Sequence, residues 1–288
     1  MKEDLTCRSR DEYLAFADHP DSAVRLGLEL ALLREITASA KYEPIGHCRA
    51  CAHAAKFMVS TDRKASRIDG VLPVNLRESL VCRACGLSNR QRLVAGELRA
   101  FVREATTTVV YAMEQVTPFY RWLQHLGPGI SSIGSEYLGP GFAGGSTHRG
   151  IRHEDATQLS LATASADVVV SNDVLEHVPD PRAVLREAHR ILRPGGIALW
   201  TFPFLADQQA TRVRARVRPD GGIEHVLPPS FHANPVAREG SLVYHEFGWD
   251  VLDRMREAGF EDVGVRVAWS FTGMHVGGPQ LLHVARKG

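Results

Sequence analysis

The sequence predicts an α/β fold: a parallel sheet with helices on both faces, preceded by a helical segment and a small cysteine-bearing module. Three observations predict it. From Thr106 onward, short β-branched runs alternate with helical patterns, the signature of βαβ units. One of those runs, "SADVVVSNDVLEHV", is continuously apolar until its end, as in a strand covered on both faces. Four of the five cysteines fall between residues 47 and 104, in two matched pairs.

The chain has 288 residues, enough for one large domain and a small one. Its 44% hydrophobic and 23% charged content is ordinary for a globular protein. A net charge of +1 gives no global pull toward nucleic acid or acidic membranes. No apolar run approaches the roughly 18 residues needed to span a bilayer, and the N-terminus carries no apolar signal core. A cytoplasmic protein with reduced cysteines is the expectation.

Residues Asp11 to about Ala40 look helical, with Asp21 or Ser22 as N-cap and Val24, Leu28, Ala31, Leu32 and Glu35 on one face. Pro44 and Gly46 break the pattern. The division expected is a helical segment over 1–46, a ribbon-like module over 47–105 and an α/β domain over 106–288, with an irregular insertion at about 204–246.

"HCRACAH" and "VCRACGL" give Cys48-x2-Cys51 and Cys82-x2-Cys85, about 30 residues apart. Each knuckle can aim two sulfurs at one ion, and four thiolates suit a closed tetrahedral structural Zn2+. Gly86 supports the second turn. A redox pair rarely comes twice with matching flanks. His47 and His53 flank the first knuckle as solvated neighbours, and Cys7 is given no role. The module holds eleven Lys/Arg against five Asp/Glu, yet Phe57 is its one aromatic before Phe101. A solvated basic face therefore outweighs a base-stacking surface, and nucleic acid is not expected as a partner.

In open α/β sheets, ligands sit beyond the carboxyl ends of strands, which places Asn172 and Asp173 at a ligand. "PRAVLREAHRILRPGG" follows as a covering helix, with Val184, Leu185, Ala188, Ile191 and Leu192 toward the sheet and Gly195-Gly196 as its stop. This whole stretch, "HEDATQLSLATASADVVVSNDVLEHVPDPRAVLREAHRILRPGG", resembles the class I S-adenosylmethionine-dependent methyltransferases, in particular the type 11-like group. The resemblance covers roughly residues 106–288 and is strongest over 153–203. It implies a Rossmann-like sheet and an S-adenosylmethionine cofactor. It also implies that Asp155 and Ala156 lie at the adenine, Asn172 and Asp173 near the methionine part, and Glu176 and His177 at the mouth of the site.

The family normally opens with a strand and a glycine-rich loop, [DE]-x-G-x-G, and nothing here fits it. Counting backward, "ISSIGSEYLG" becomes the second strand, with Glu136 at its tip for the ribose hydroxyls and Tyr137 beside it. "TTTVVYAME" becomes the first strand, with Glu114 in the place of the opening acid. Gln115, Val116 and Thr117 then replace the glycines, with the Thr117 hydroxyl among the cofactor contacts, and Pro118 starts the helix. Reading "GSEYLGPG" as the loop instead would leave too few residues for a second strand before Asp155.

The distal segment is rich in His and Pro. A histidine suits removal of a proton from a hydroxyl or amine acceptor. His232 in "PPSFHANP" is the first choice, His245 the second, and His177 the third, with a loop-holding role as its alternative. Two functions follow. One is methyl transfer to a small-molecule or carbohydrate-type acceptor, nucleotide-sugar-like among them. The other is a binding protein of the same fold that has lost the cofactor loop.

Overall fold

The structure, a computed structural model, describes residues 4–39, 41–61, 66–102, 107–237 and 239–288. Two compact units divide the chain. One comprises Met1–Cys7, Asp11–Glu104 and Val265–Leu282; the other Arg8–Arg10, Ala105–Gly264 and His283–Gly288. The boundary expected at 105/106, and Thr106 itself, lie outside the described residues.

A seven-stranded sheet runs in the order Asp4–Cys7, Asp262–Ser270, His275–Arg286, Leu192–Thr201, Ala166–Asn172, Thr108–Ala112, Ile130–Gly134. In the second unit, Thr108–Ala112 is parallel to both Ile130–Gly134 and Ala166–Asn172, and Ala166–Asn172 is parallel to Leu192–Thr201. The register counted backward from Asp155 is thus the one the chain adopts. Val168, Val169 and Val170 are fully buried, each stabilising the fold by roughly 1.5–3 kcal/mol.

The helix Pro181–Ile191 starts sharply. Asp180 caps it by accepting from the Ala183 amide at 3.1 Å, and Pro181 fits the first turn, where a missing N–H costs nothing. Val184, Leu185, Ala188 and Ile191 are its buried stripe, as the spacing predicts. It stops earlier than expected. Leu192 is already extended (φ −69°, ψ 140°), and Gly195 turns with φ +77° inside an irregularity of the following strand. The glycines shape the strand entry rather than the helix end.

The distal insertion is ordered into short antiparallel pairs: Arg212–Val213 with His245–Glu246, Ala215–Val217 with Ile223–His225, and Phe231–His232 with Ser241–Leu242. The helix Asp250–Glu257 follows, then Gly259 at φ +108° and the strand Asp262–Ser270.

The first unit holds helices Arg10–Ala17 and Asp21–Ala38, separated at Pro20, so that Pro20 rather than Asp21 or Ser22 is the N-cap. Its buried residues also differ from the expected stripe. Val24, Ala31 and Glu35 are exposed, whereas Arg25, Leu32, Ile36 and Thr37 are buried. The cause is polar pairing that a hydrophobic stripe does not reveal. The Arg25 guanidinium lies 3.9 Å over the Phe16 ring. Glu29 accepts from the Trp269 indole at 2.6 Å and from the amides of Gly277 and Gly278. Three antiparallel strands, Ile45–Cys48, His53–Val59 and Leu80–Cys82, form the ribbon, followed by the helix Asn89–Val102. No helix among the described residues is long and apolar enough to cross a membrane.

Candidate functional site

The strand Thr108–Ala112 ends two residues before Glu114, which is 4% exposed. A buried carboxylate needs partners, and the Asn172 amide and the Thr117 hydroxyl each donate to Glu114. Thr117 does double duty, because its oxygen also accepts from the Tyr120 amide at 3.2 Å and so caps the helix Pro118–Leu123. Asn172 ends the neighbouring parallel strand and accepts from the Thr201 hydroxyl at 3.3 Å. Asp173 is left-handed (φ +53°), and its amide and carboxylate both engage Thr201, at 2.9 and 3.0 Å. Glu114, Thr117, Asn172 and Asp173 are therefore one linked group at the carboxyl edge of the sheet.

The loop that lacks glycines is held by its own replacements. The amides of Gln115 and Val116 donate to Glu136 at 2.7 and 3.0 Å. The Gln115 side chain donates to Gly150 at 2.9 Å and accepts from the Arg152 amide at 2.7 Å. Burial pushes the Glu136 carboxyl above its ordinary range, and the two amides offset only part of that rise. Glycine is required at Gly134 instead, where a Cβ would lie 2.5 Å from the Tyr120 ring.

Glu136 pairs with His153 in a parallel bridge, two residues before Asp155. The two carboxylates thus sit on adjacent parallel stretches. Tyr137 is exposed and packs beside His153, ring centroids 5.5 Å apart. Asp155 accepts from the Thr157 amide and hydroxyl at 2.8 and 2.6 Å, an Asx turn that fixes Ala156 between them. The buried Glu154 next door binds Arg152 and Ser160, organising the connection.

The turn Leu175–His177 follows directly from the Asn172 strand. His177 Nδ1 lies 2.8 Å from the Leu242 carbonyl, which can only accept, so Nδ1 carries the proton. His232 Nδ1 lies 3.4 Å from Glu176 Oε1, and the two imidazoles meet edge to face at 4.9 Å. His232 and His177 are thus brought together around Glu176. His245 is outside that cluster. It is buried, with Nε2 3.3 Å from the Pro179 carbonyl, and burial holds its imidazole below the ordinary range.

In the first unit, the two knuckles fold alike. The Ala52 amide donates to Cys48 at 2.8 Å and the Gly86 amide to Cys82 at 2.9 Å, with left-handed Ala52 and Gly86 closing each turn. Cys48 and Cys85 sulfurs are 3.8 Å apart, and those of Cys51 and Cys82 are 3.9 Å apart. Corners of a tetrahedron about 2.3 Å from its centre lie about 3.8 Å apart, the geometry of a four-thiolate zinc site. Burial first, then the charge of Cys48, pushes the Cys51 thiol up to about 12, a penalty that a central divalent cation would remove. The donor set therefore fits zinc.

Sequence reasoning missed Arg92. Its guanidinium is fully buried, lies 4.5 Å over the Phe57 ring and donates to the Gly273, Met274 and Asn89 oxygens. Burial draws it down to about 10, opposed by the charges of Cys48, Cys82 and Cys85. One arginine in a locally basic segment gives no sequence sign of this.

Residues 141–200 match the family model of a methyltransferase domain. This stretch of the α/β part is similar to a methyltransferase domain. The matched stretch contains Asp155, Ala156, Asn172, Asp173, Glu176 and His177. A probable S-adenosylmethionine-dependent methyltransferase from Mycolicibacterium smegmatis is 45% identical over 53 residues, 18% of this chain and 21% of that one. A demethylmenaquinone methyltransferase from Alkalihalophilus pseudofirmus is 29% identical over 147 residues, 49% of this chain and 58% of that one. The chain thus spans about a fifth and about three fifths of these relatives. Among solved structures, a 1,6-didemethyltoxoflavin-N1-methyltransferase from Burkholderia thailandensis is similar at 19% identity and a TM-score of 0.40, over 69% of this chain and 78% of that one. The glycine-free loop and the Glu114 and Glu136 carboxylates lie outside the matched residues.

Proposed function

We propose that the chain transfers a methyl group from S-adenosylmethionine to an oxygen or nitrogen of a small-molecule or carbohydrate-type acceptor, with a structural zinc at Cys48, Cys51, Cys82 and Cys85. The observation that carries this reading is the Asn172–Glu114 bond. It joins the ends of two adjacent parallel strands at the edge where α/β sheets hold their ligands. The match over residues 141–200 supports the same chemistry, and the Alkalihalophilus relative acts on a quinone-type acceptor by its name.

Bound there, S-adenosylmethionine supplies a methyl group on a positively charged sulfur, open to in-line displacement. Glu114, which accepts from Asn172 and Thr117, is suited to its ammonium group, with Thr117, Asn172 and Asp173 positioning that carboxylate. Glu136 and Tyr137 would hold the ribose end, and Asp155 with Ala156 the adenine end. His177 and His232, flanking the buried Glu176, mark the acceptor side and are where the acceptor's proton would be lost. Placed apart from that pair, His245 serves the packing of its strand in this reading.

Titration calorimetry of the zinc-loaded protein with S-adenosylmethionine and its demethylated product tests the proposal, with Glu136→Ala alongside. Micromolar binding, abolished in the variant, is expected. A folded wild-type protein that binds neither ligand at millimolar concentration overturns it.

A further inference from the structure

Glu176 is completely buried, and neither carboxylate oxygen has a hydrogen-bond partner among the described residues. A buried, unpaired carboxylate is expensive and persists where something compensates it. Two imidazoles face it: His177 Nε2 at 3.6 Å and His232 Nδ1 at 3.4 Å from the same oxygen, Oε1. These distances are too long for good hydrogen bonds. His177 Nδ1 donates to the Leu242 carbonyl, which turns Nε2 toward the carboxylate. Two imidazole nitrogens thus face one buried carboxylate oxygen, a place where positive charge is called for.

We propose that Glu176, His177 and His232 bind a first-row divalent cation, with open coordination positions for an oxygen donor of the acceptor. The ligand atoms of the three residues all lie within 4.8 Å of one another. Ligands arranged tetrahedrally about 2.1 Å from an ion lie about 3.4 Å apart, close to the 3.4 and 3.6 Å between each imidazole and the carboxylate. Two imidazoles and one carboxylate suit zinc, manganese or iron(II) far better than magnesium or calcium. The His177–Leu242 bond is the outer support that metal-ligating histidines ordinarily make, fixing tautomer and ring orientation. Among the described residues three protein ligands converge, which leaves the shell open, in contrast to the closed four-thiolate site. Access is through His232, whose side chain is 38% exposed, while that of His177 is 15% exposed. Fold also contributes: His177 comes from the turn after the Asn172 strand, and His232 from a short strand of the distal insertion, so a bound ion would pin that insertion to the turn.

Cation binding itself does not depend on the methyl-transfer reading; its role in admitting oxygen acceptors does. The probe is Mn2+, followed by electron paramagnetic resonance with protein carrying one zinc per chain, held at its cysteines. Wild-type protein is expected to bind one Mn2+ per chain. Glu176→Gln and His232→Ala should weaken binding by roughly tenfold or more, since even groups that merely support a ligand cost about 10- to 100-fold when removed. Circular dichroism and binding of the demethylated cofactor product are followed in the same variants. Glu176→Gln keeps the buried shape and His232 is half-exposed, so both should fold. No Mn2+ bound by the wild type at millimolar concentration, or equal binding by wild type and both folded variants, overturns the cation site. Mn2+ binding without any cofactor binding would retain the site and overturn the methyl-transfer reading instead.

Discussion

Asn172 donates its side-chain amide to Glu114, tying the carboxyl ends of two adjacent parallel strands through a carboxylate that is 4% exposed. Asn172→Ala should cost about 1–3 kcal/mol, the penalty for leaving a buried acceptor short of a donor. Asn172→Asp should cost more, because it sets a second carboxylate against the first. Urea denaturation at neutral pH measures both. If Asn172→Asp proves the milder change at pH 7, the bond is not what holds Glu114 in place.

Thr117 links three features through one hydroxyl: it donates to Glu114, caps the helix Pro118–Leu123 and closes the glycine-free loop. Thr117→Val keeps the shape and removes both bonds. A loss of about 1–2 kcal/mol is expected from the cap alone. Thr117→Ser should restore most of it. Thermal melts of the three proteins decide the matter, with equal stability of the valine and serine variants as the contrary result.

The two knuckles of the ribbon hold strands Ile45–Cys48 and Leu80–Cys82 by their sulfurs. Cys82→Ser, or prolonged chelation, should therefore release one zinc per chain from this site and strongly lower the melting temperature. Structural zinc commonly contributes on the order of 10 kcal/mol or more to small modules. Elemental analysis before and after chelation, with calorimetry, checks both halves. Arg92→Met tests the buried cation in the same unit and should destabilise by about 3–5 kcal/mol, the cost of orphaning the carbonyls and charges it serves.

Much of this architecture was legible because local patterns carried it. The Val168–Val170 run, the Asp180-Pro181 helix start and the paired knuckles each announce themselves within a few residues. The strand register also followed from counting backward from Asp155, which put Glu136 at the tip of the second strand. What stayed hidden depends on distant partners. The buried side of helix Asp21–Ala38 uses Arg25, whose burial makes sense only beside Phe16. Cys7 lies in a strand, Asp4–Cys7, that pairs with Asp262–Ser270, nearly the whole chain away. The convergence of His232 on Glu176 and His177 joins residues more than 50 positions apart, with no periodicity to foretell it. Gln115 looked like a lost glycine, whereas its side chain stitches the loop to Gly150 and Arg152.

His283 should make stability fall with acidity. It is fully buried, stacks on Phe202 at 4.1 Å and abuts Phe204 at 4.6 Å. Burial holds its imidazole down at about 3. The unfolded chain, with an ordinary value of about 6.5, binds the proton that the folded chain refuses. The stabilisation is therefore complete above about pH 6.5 and is lost as pH falls toward 3. The slope is on the order of 1.4 kcal/mol per pH unit for one group. His275, also fully buried, and His245 are shifted in the same direction by burial and steepen the fall. His283→Leu fills the same apolar niche without a titrating group. Denaturation midpoints measured from pH 7 to pH 5 should decline less in this variant than in wild type. Parallel declines would mean that His283 is already protonated in the folded chain, or that its niche is wetter than its packing indicates.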